Sequence, residues 1–150
     1  MQPNQLPSEQ SAVLACIDPD AYTAATYTTG WVSMALWDTL QAIVMAGDLG
    51  SSGTLDAKLT AATDSSGTGA SDISSATITQ LTQAGTDSNK QGIINLRTES
   101  LAGQGFTHVR LSMTVGVATS DAGALLLGFG PKYAPASDSD ATTVDSITTV

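Results

Sequence analysis

Between Phe106 and Val117 the chain alternates with period two: Val109, Leu111, Met113 and Val115 share one parity, and His108, Arg110, Ser112 and Thr114 share the other. Successive side chains of a strand point to opposite faces, so this pattern demands an extended segment with one buried and one wetted face. A helix would scatter the same residues around its axis. The alternation recurs over Thr54 to Thr63, where Leu55, Ala57, Leu59 and Ala61 oppose Asp56, Lys58 and Thr60. It recurs again from Gly92 to Glu99, with Ile94, Leu96 and Thr98 opposed by Ile93, Asn95 and Arg97.

Other segments fit the same architecture. Trp37 to Met45 is strongly apolar and reads as a central strand, with a short helix as the other possibility. Ala124 to Phe129 reads as a buried strand stopped by Gly130-Pro131, and Tyr22 to Thr29 as a Thr/Tyr-rich strand ended by Gly30. Asp72 to Gln83 is compatible with a strand or a short helical turn. Gly, Asp, Ser and Asn cluster between these runs, as turns require. Many short strands at this spacing produce a sandwich, a jelly roll or a small barrel. Composition agrees, since only 13% of residues are charged and Thr, Ser, Ala and Gly take the space that helix-forming Glu, Lys and Arg would fill. A chain of 150 residues has material for one core.

The division expected is an extended N-terminal arm over residues 1–20, a β-sandwich over 21–133 and a Ser/Asp/Thr-rich tail over 134–150. Pro3 and Pro7 stiffen the start of the arm and lower the entropy lost when it orders on a neighbour. No basic n-region precedes the apolar run Ala12 to Ile17, so a secretory signal is not expected, and no apolar stretch approaches the length of a membrane-spanning helix.

The inventory of reactive groups is thin. The chain has one cysteine, Cys16, which excludes an intrachain disulfide and a multi-cysteine metal site. Its one histidine, His108, lies on the polar parity of its strand with no acid nearby in sequence. Nucleophilic triads and zinc sites would both have to run through these two residues. The Gly-x-Gly runs at Gly67, Gly103 and Gly128 lack the strand–helix setting and the basic residue that phosphate needs. The loop Asp64 to Asp72 offers two carboxylates to calcium but lacks the acidic spacing of an EF-hand. No cofactor and no enzymatic activity are expected. With 14 acidic and 5 basic residues the net charge is −9, which disfavours nucleic acid and anionic membranes as partners. Aromatic side chains anchor protein interfaces, and Leu6, Tyr22, Tyr27 and Trp31 are the expected contact residues. Trp31 and Trp37 also leave open a carbohydrate-binding face.

Several phrases resemble small virion proteins of tailed bacteriophages: Gly53-Thr54-Leu55-Asp56-Ala57-Lys58-Leu59, Ala62 to Gly69, Asp72-Ile73, Ile78 to Thr82, Asn89-Lys90-Gln91 and Phe106 to Leu111. The resemblance spans residues 21–133 and contains no catalytic motif. It is to capsid decoration, or cement, proteins. It implies a jelly-roll-like domain, often a homotrimer, that binds the outer surface of the capsid and clamps major capsid protein subunits, assembled in the host cytoplasm. A tail, neck or fibre protein of the virion is the alternative.

Overall fold

Each of the alternating segments pairs with strands distant in sequence, and the order of that pairing defines the fold. The computed structural model describes residues 4–150. The strands are β1 (Ser11–Tyr22), β2 (Ala25–Thr28), β3 (Val32–Ser33), β4 (Trp37–Ala46), β5 (Thr54–Ala62), β6 (Ser71–Thr77), β7 (Leu81–Thr82), β8 (Gln91–Arg97), β9 (His108–Gly116) and β10 (Ser120–Pro131). Two single-turn α-helices, α1 (Pro7–Gln10) and α2 (Glu99–Ala102), and a 3-10 turn (Ala136–Ser139) complete the described chain. One sheet has the order β1-β10-β4-β8 and the other β2-β9-β5-β6, with β3 added to β9 and β7 to β5. Every pairing is antiparallel. The chain crosses from sheet to sheet in the sense that places first and last strands side by side. This is the jelly roll, an antiparallel β-sandwich.

The core lies between the sheets. On one side β5 and β9 pair Leu55 with Val115, Ala57 with Met113, Leu59 with Leu111 and Ala61 with Val109, all almost fully buried. Facing them are Leu40, Ala42 and Val44 of β4, Ala124 and Leu126 of β10, and Ile94 and Leu96 of β8. Alanines stand among large side chains on both inner faces, so the layers can interdigitate at interior density.

The arm expected over residues 1–20 is shorter than that. Residues 1–3 lie outside the described residues. Residues 7–10 form α1, closed by Glu9 N–H to Leu6 O (3.0 Å) and by Leu6 N–H to Glu9 Oε2 (2.7 Å). Residues 11–20 belong to β1, which pairs with β10 from Ser11–Phe129 to Tyr22–Ser120. The strand is disguised in sequence because its register slips twice, between Val13 and Ala15 and between Ile17 and Asp20. Its Pro19 is tolerated because β1 is an edge strand. The expected strand Tyr22 to Thr29 is accordingly two, and its middle is the crossing between sheets. The Gly130-Pro131 stop is also late, since β10 continues to a Pro131–Trp37 pair. The tail, expected to be peripheral, docks in part: Ala136 is buried, Ala141 N–H donates to Val13 O (2.7 Å), and Asp140 Oδ1 accepts from Val13 N–H (2.7 Å).

The β9–β10 connection carries a strained residue. Val117 has φ 69°, and Ala118 N–H closes a γ-turn on Gly116 O at 2.9 Å. A β-branched residue is unfavourable in the left-handed region by about 1–2 kcal/mol. Val117 is 71% exposed, so packing does not offset that cost. Substitution Val117→Asn, which tolerates this conformation, is expected to stabilise the protein by about 1 kcal/mol, measured as a higher urea midpoint at unchanged slope.

Candidate interaction face

The two outward faces of the sandwich differ sharply in chemistry. On the β2-β9-β5-β6 sheet the outward side chains are polar and mutually bonded. Thr26 meets Thr114 (2.9 Å), Gln80 Nε2 donates to Asp56 (2.7 Å), and Lys58 pairs with Asp72 (2.6 Å), which also accepts from Thr60 (3.3 Å). His108 Nδ1 lies 2.8 Å from Thr107 Oγ1.

The β1-β10-β4-β8 sheet carries apolar side chains on its outside as well as its inside, flanked on β4 and β8 by Thr39, Gln41, Gln91, Asn95 and Arg97. One register row runs Cys16–Leu125–Ile43–Ile93 across all four strands. Leu127 and Phe129 of β10 and Met45 of β4 flank this row. Ile93 is 57% and Met45 39% exposed, while Leu125, Leu127, Phe129 and Ile43 are half-buried by one another. The polar break in this face is satisfied internally, since Gln41 Nε2 donates to Asn95 Oδ1 at 2.9 Å. Towards β1 the face deepens into a groove lined by Val13, Cys16, Leu125, Met45 and Val144. Ile93 and Met45 are the exposed large apolar side chains of this face.

The four expected contact residues do not form one surface. Tyr22 and Tyr27 pack together at the crossing between sheets, ring centres 4.3 Å apart and tilted by 52°. The Tyr22 hydroxyl donates to Asp18 O and that of Tyr27 to Thr23 O (3.1 Å). Burial, then the neighbouring Asp18 and Asp20 carboxylates, pushes the Tyr22 hydroxyl above its ordinary pKa. Leu6, 43% exposed, precedes α1 as its N-cap, at the opposite end of the β1–β10 ladder from Tyr22. Trp31, between β2 and β3, lies under the Arg110 guanidinium (4.5 Å to the ring centre). The backbone of Gly67, at φ +85°, presses on the same indole so closely that a Cβ there would stand 2.7 Å from Trp31 Nε1. Arg110 Nε is buried without a hydrogen-bond partner among the described residues.

Residues that make up the apolar face were missed in the sequence, although a signal existed. Ile43-Val44-Met45, Ile93-Ile94 and Leu125-Leu126-Leu127 are apolar at both parities. Reading such runs as buried strands overlooks that a two-layer sandwich buries only one face of each sheet, so the second parity must emerge outside.

The reactive groups stay apart. Cys16 and His108 lie on the outer faces of opposite sheets, and the Cys16 thiol donates to Asp18 Oδ1 (3.3 Å). In the Asp64 to Asp72 loop, Asp64 Oδ1 accepts from Ser66 N–H (2.9 Å) and Thr68 N–H (3.0 Å), while Asp72 is engaged by Lys58. Among the described residues no three His, Cys, Asp or Glu side chains gather as a metal would require.

No protein-family model and no curated protein matches the chain. Solved structures similar to it include the infectious bursal disease virus VP2 subviral particle, at 15% identity and TM-score 0.47, covering 91% of this chain and 37% of that one. A Clostridium thermocellum xylanase fragment with a carbohydrate-binding module, complexed with xylohexaose, is similar at 9% identity and TM-score 0.43, covering 79% and 29%. The SPBc2 prophage-derived protein YomS is similar at 13% identity and TM-score 0.39, covering 81% and 96%. The chain spans 37% and 33% of the length of two further infectious bursal disease virus structures, of the Gt and Gx strains. These proteins differ in kind, and likeness at this level assigns no role. The jelly-roll assignment rests on the strand order itself.

Three carboxylates sit below the usual carboxylate range: Asp64 through the Thr68 side chain and loop amides, Asp72 of β6 through Lys58, and Asp87 through Lys90 and the Thr82 amide. A depressed carboxylate stabilises the fold above its unfolded pKa, and that contribution is lost as pH falls through the folded value. Stability is therefore expected to decline below about pH 4. In thermal scans, Asp87→Asn is expected to lower the neutral-pH midpoint and flatten the decline. An acid limb as steep as that of the parent protein would refute the assignment.

Proposed function

We propose that this chain is a structural virion protein that binds the outer surface of a bacteriophage capsid as a homotrimer, stabilises contacts between major capsid protein subunits and performs no catalysis. The observation that carries the reading is the apolar outer row Cys16–Leu125–Ile43–Ile93 with Met45, Leu127 and Phe129. Each half-exposed aliphatic side chain buried there contributes on the order of 1 kcal/mol, and repetition over many equivalent sites multiplies a modest contact into a durable coat. The thin inventory of proton-transfer groups, with Cys16 and His108 on opposite faces, supports a role through surfaces. The bacteriophage part of the reading draws on the resemblance of the strand and turn phrases to decoration proteins. Leu6 with α1 remains the proposed arm contact, beside the β10 end of the face, and Tyr22, Tyr27 and Trp31 the proposed contacts elsewhere on the surface. A tail, neck or fibre protein would use the same face at fewer copies. A carbohydrate-binding role is less well supported, because Trp37 is 3% exposed and the Trp31 ring is covered by Arg110.

The test is occupancy of heads. Co-expressed with the major capsid protein encoded by the same phage genome, the chain is expected to co-purify with heads in tens to hundreds of copies. The double variant Ile43→Asp, Met45→Asp should fold, by circular dichroism, and lose at least tenfold in occupancy, since a buried unpaired carboxylate costs more than about 1.4 kcal/mol. Heads that carry no copies of the parent protein, or carry the variant equally well, would exclude this function.

A further inference from the structure

The β1-β10-β4-β8 sheet has two edges, and they are treated differently. The β1 edge is blunted three times: by the two register slips, by Pro19, which has no N–H to offer, and by the C-terminal segment bonded to Val13 through Asp140 and Ala141. These are devices that proteins use against strand addition. At the β8 edge none of them is present. Thr98 N–H donates to Asp38 O and Ala46 N–H to Lys90 O, so the even-numbered residues of β8 face β4. The backbone groups of Gln91, Ile93, Asn95 and Arg97 therefore point away from the sheet. Ile93 is 57% exposed at the open end of the apolar row.

Within the same chain is a segment suited to that edge. Residues 145–150, Asp-Ser-Ile-Thr-Thr-Val, are exposed throughout and make no hydrogen bond among the described residues. Their β-branched content favours a strand. Ile147 is 51% exposed, so it and Ile93 are both large apolar side chains left in water. We propose that residues 145–150 of one copy add as an antiparallel strand to the β8 edge of a second copy, with Ile147 opposite Ile93.

That register places Asp145 opposite Asn95 and diagonal to Arg97, whose own contact with Glu99 is long (3.4 Å) and exposed. Charge and apolar matching then coincide with backbone pairing. The chain's own β8 is not the recipient. Val144 sits in the groove beside Cys16 and Leu125. Reaching β8 from there means crossing about 14 Å of sheet, which consumes about four residues at roughly 3.3 Å each, so within one chain residues 145–150 cannot lie along β8 over their length. Because the contact joins different patches on the two copies, it is head-to-tail and closes into a ring if the rotation permits.

This inference deepens the proposed function, because self-association through β8 would extend the apolar face from copy to copy. It is tested without capsids, and so can fail or stand independently. In the background Cys16→Ser, the pair Ile93→Cys, Ile147→Cys is expected to form disulfide-linked multimers on oxidation, at least tenfold above either single-cysteine variant. Ile147→Pro, which removes the central donor of the added strand, is expected to convert the oligomer to monomer in sedimentation while leaving the far-UV circular dichroism spectrum unchanged. A parent protein that is monomeric at high micromolar concentration, cross-links confined within one chain, or an oligomer indifferent to Ile147→Pro would each overturn the inference.

Discussion

A sheet in a two-layer sandwich has only one inside. That constraint organises this molecule: alternate residues of β5 and β9 meet alternate residues of β4, β8 and β10, and everything at the other parity is left to face water or a partner. On the β2-β9-β5-β6 sheet the second parity is filled by Thr, Asp and Lys side chains that bond to one another and to Gln80. On the β1-β10-β4-β8 sheet the second parity holds an aliphatic row, Leu125–Ile43–Ile93 with Leu127 and Met45, beside the polar Thr39, Gln41, Gln91, Asn95 and Arg97 of β4 and β8. The second sheet covers the inner face, and the outer face leaves Ile93 and Met45 exposed.

The jelly-roll order makes this asymmetry possible. Because first and last strands lie together, both ends of the described chain converge on β1 and the adjacent part of β10. There α1 and the 3-10 turn close one sheet edge, Ala136 acting as the buried contact. The opposite edge, β8, is left without a strap. The apolar row leads from the strapped β1 edge to β8, where Ile93 is exposed.

Much of this was legible from residues alone. The strands around Leu59, Ile94 and Leu111 announce themselves by strict alternation, and their buried parity in the structure is the one the pattern implies. Turn-capping by Asp64 was equally readable, since Asp side chains bond their own loop amides. The strand β1 was not legible, because two slips and Pro19 break its period, and only pairing with β10 shows that these are edge-strand features. The aromatic residues Tyr22, Tyr27 and Trp31 drew attention by size, yet two of them pack on each other and the third lies under Arg110.

By itself, then, the order of residues determined the class of structure: period two, abundant Thr and Ala, and closely spaced turns point to an all-β sandwich, jelly roll or small barrel. It also determined the scarcity of groups that could move protons. What only the tertiary structure decided is which parity faces in, which edge is covered and which surface remains apolar. Those outcomes depend on contacts between strands far apart in the chain, and a local pattern that is apolar at both parities is equally compatible with either face being the one that water, or a partner, meets.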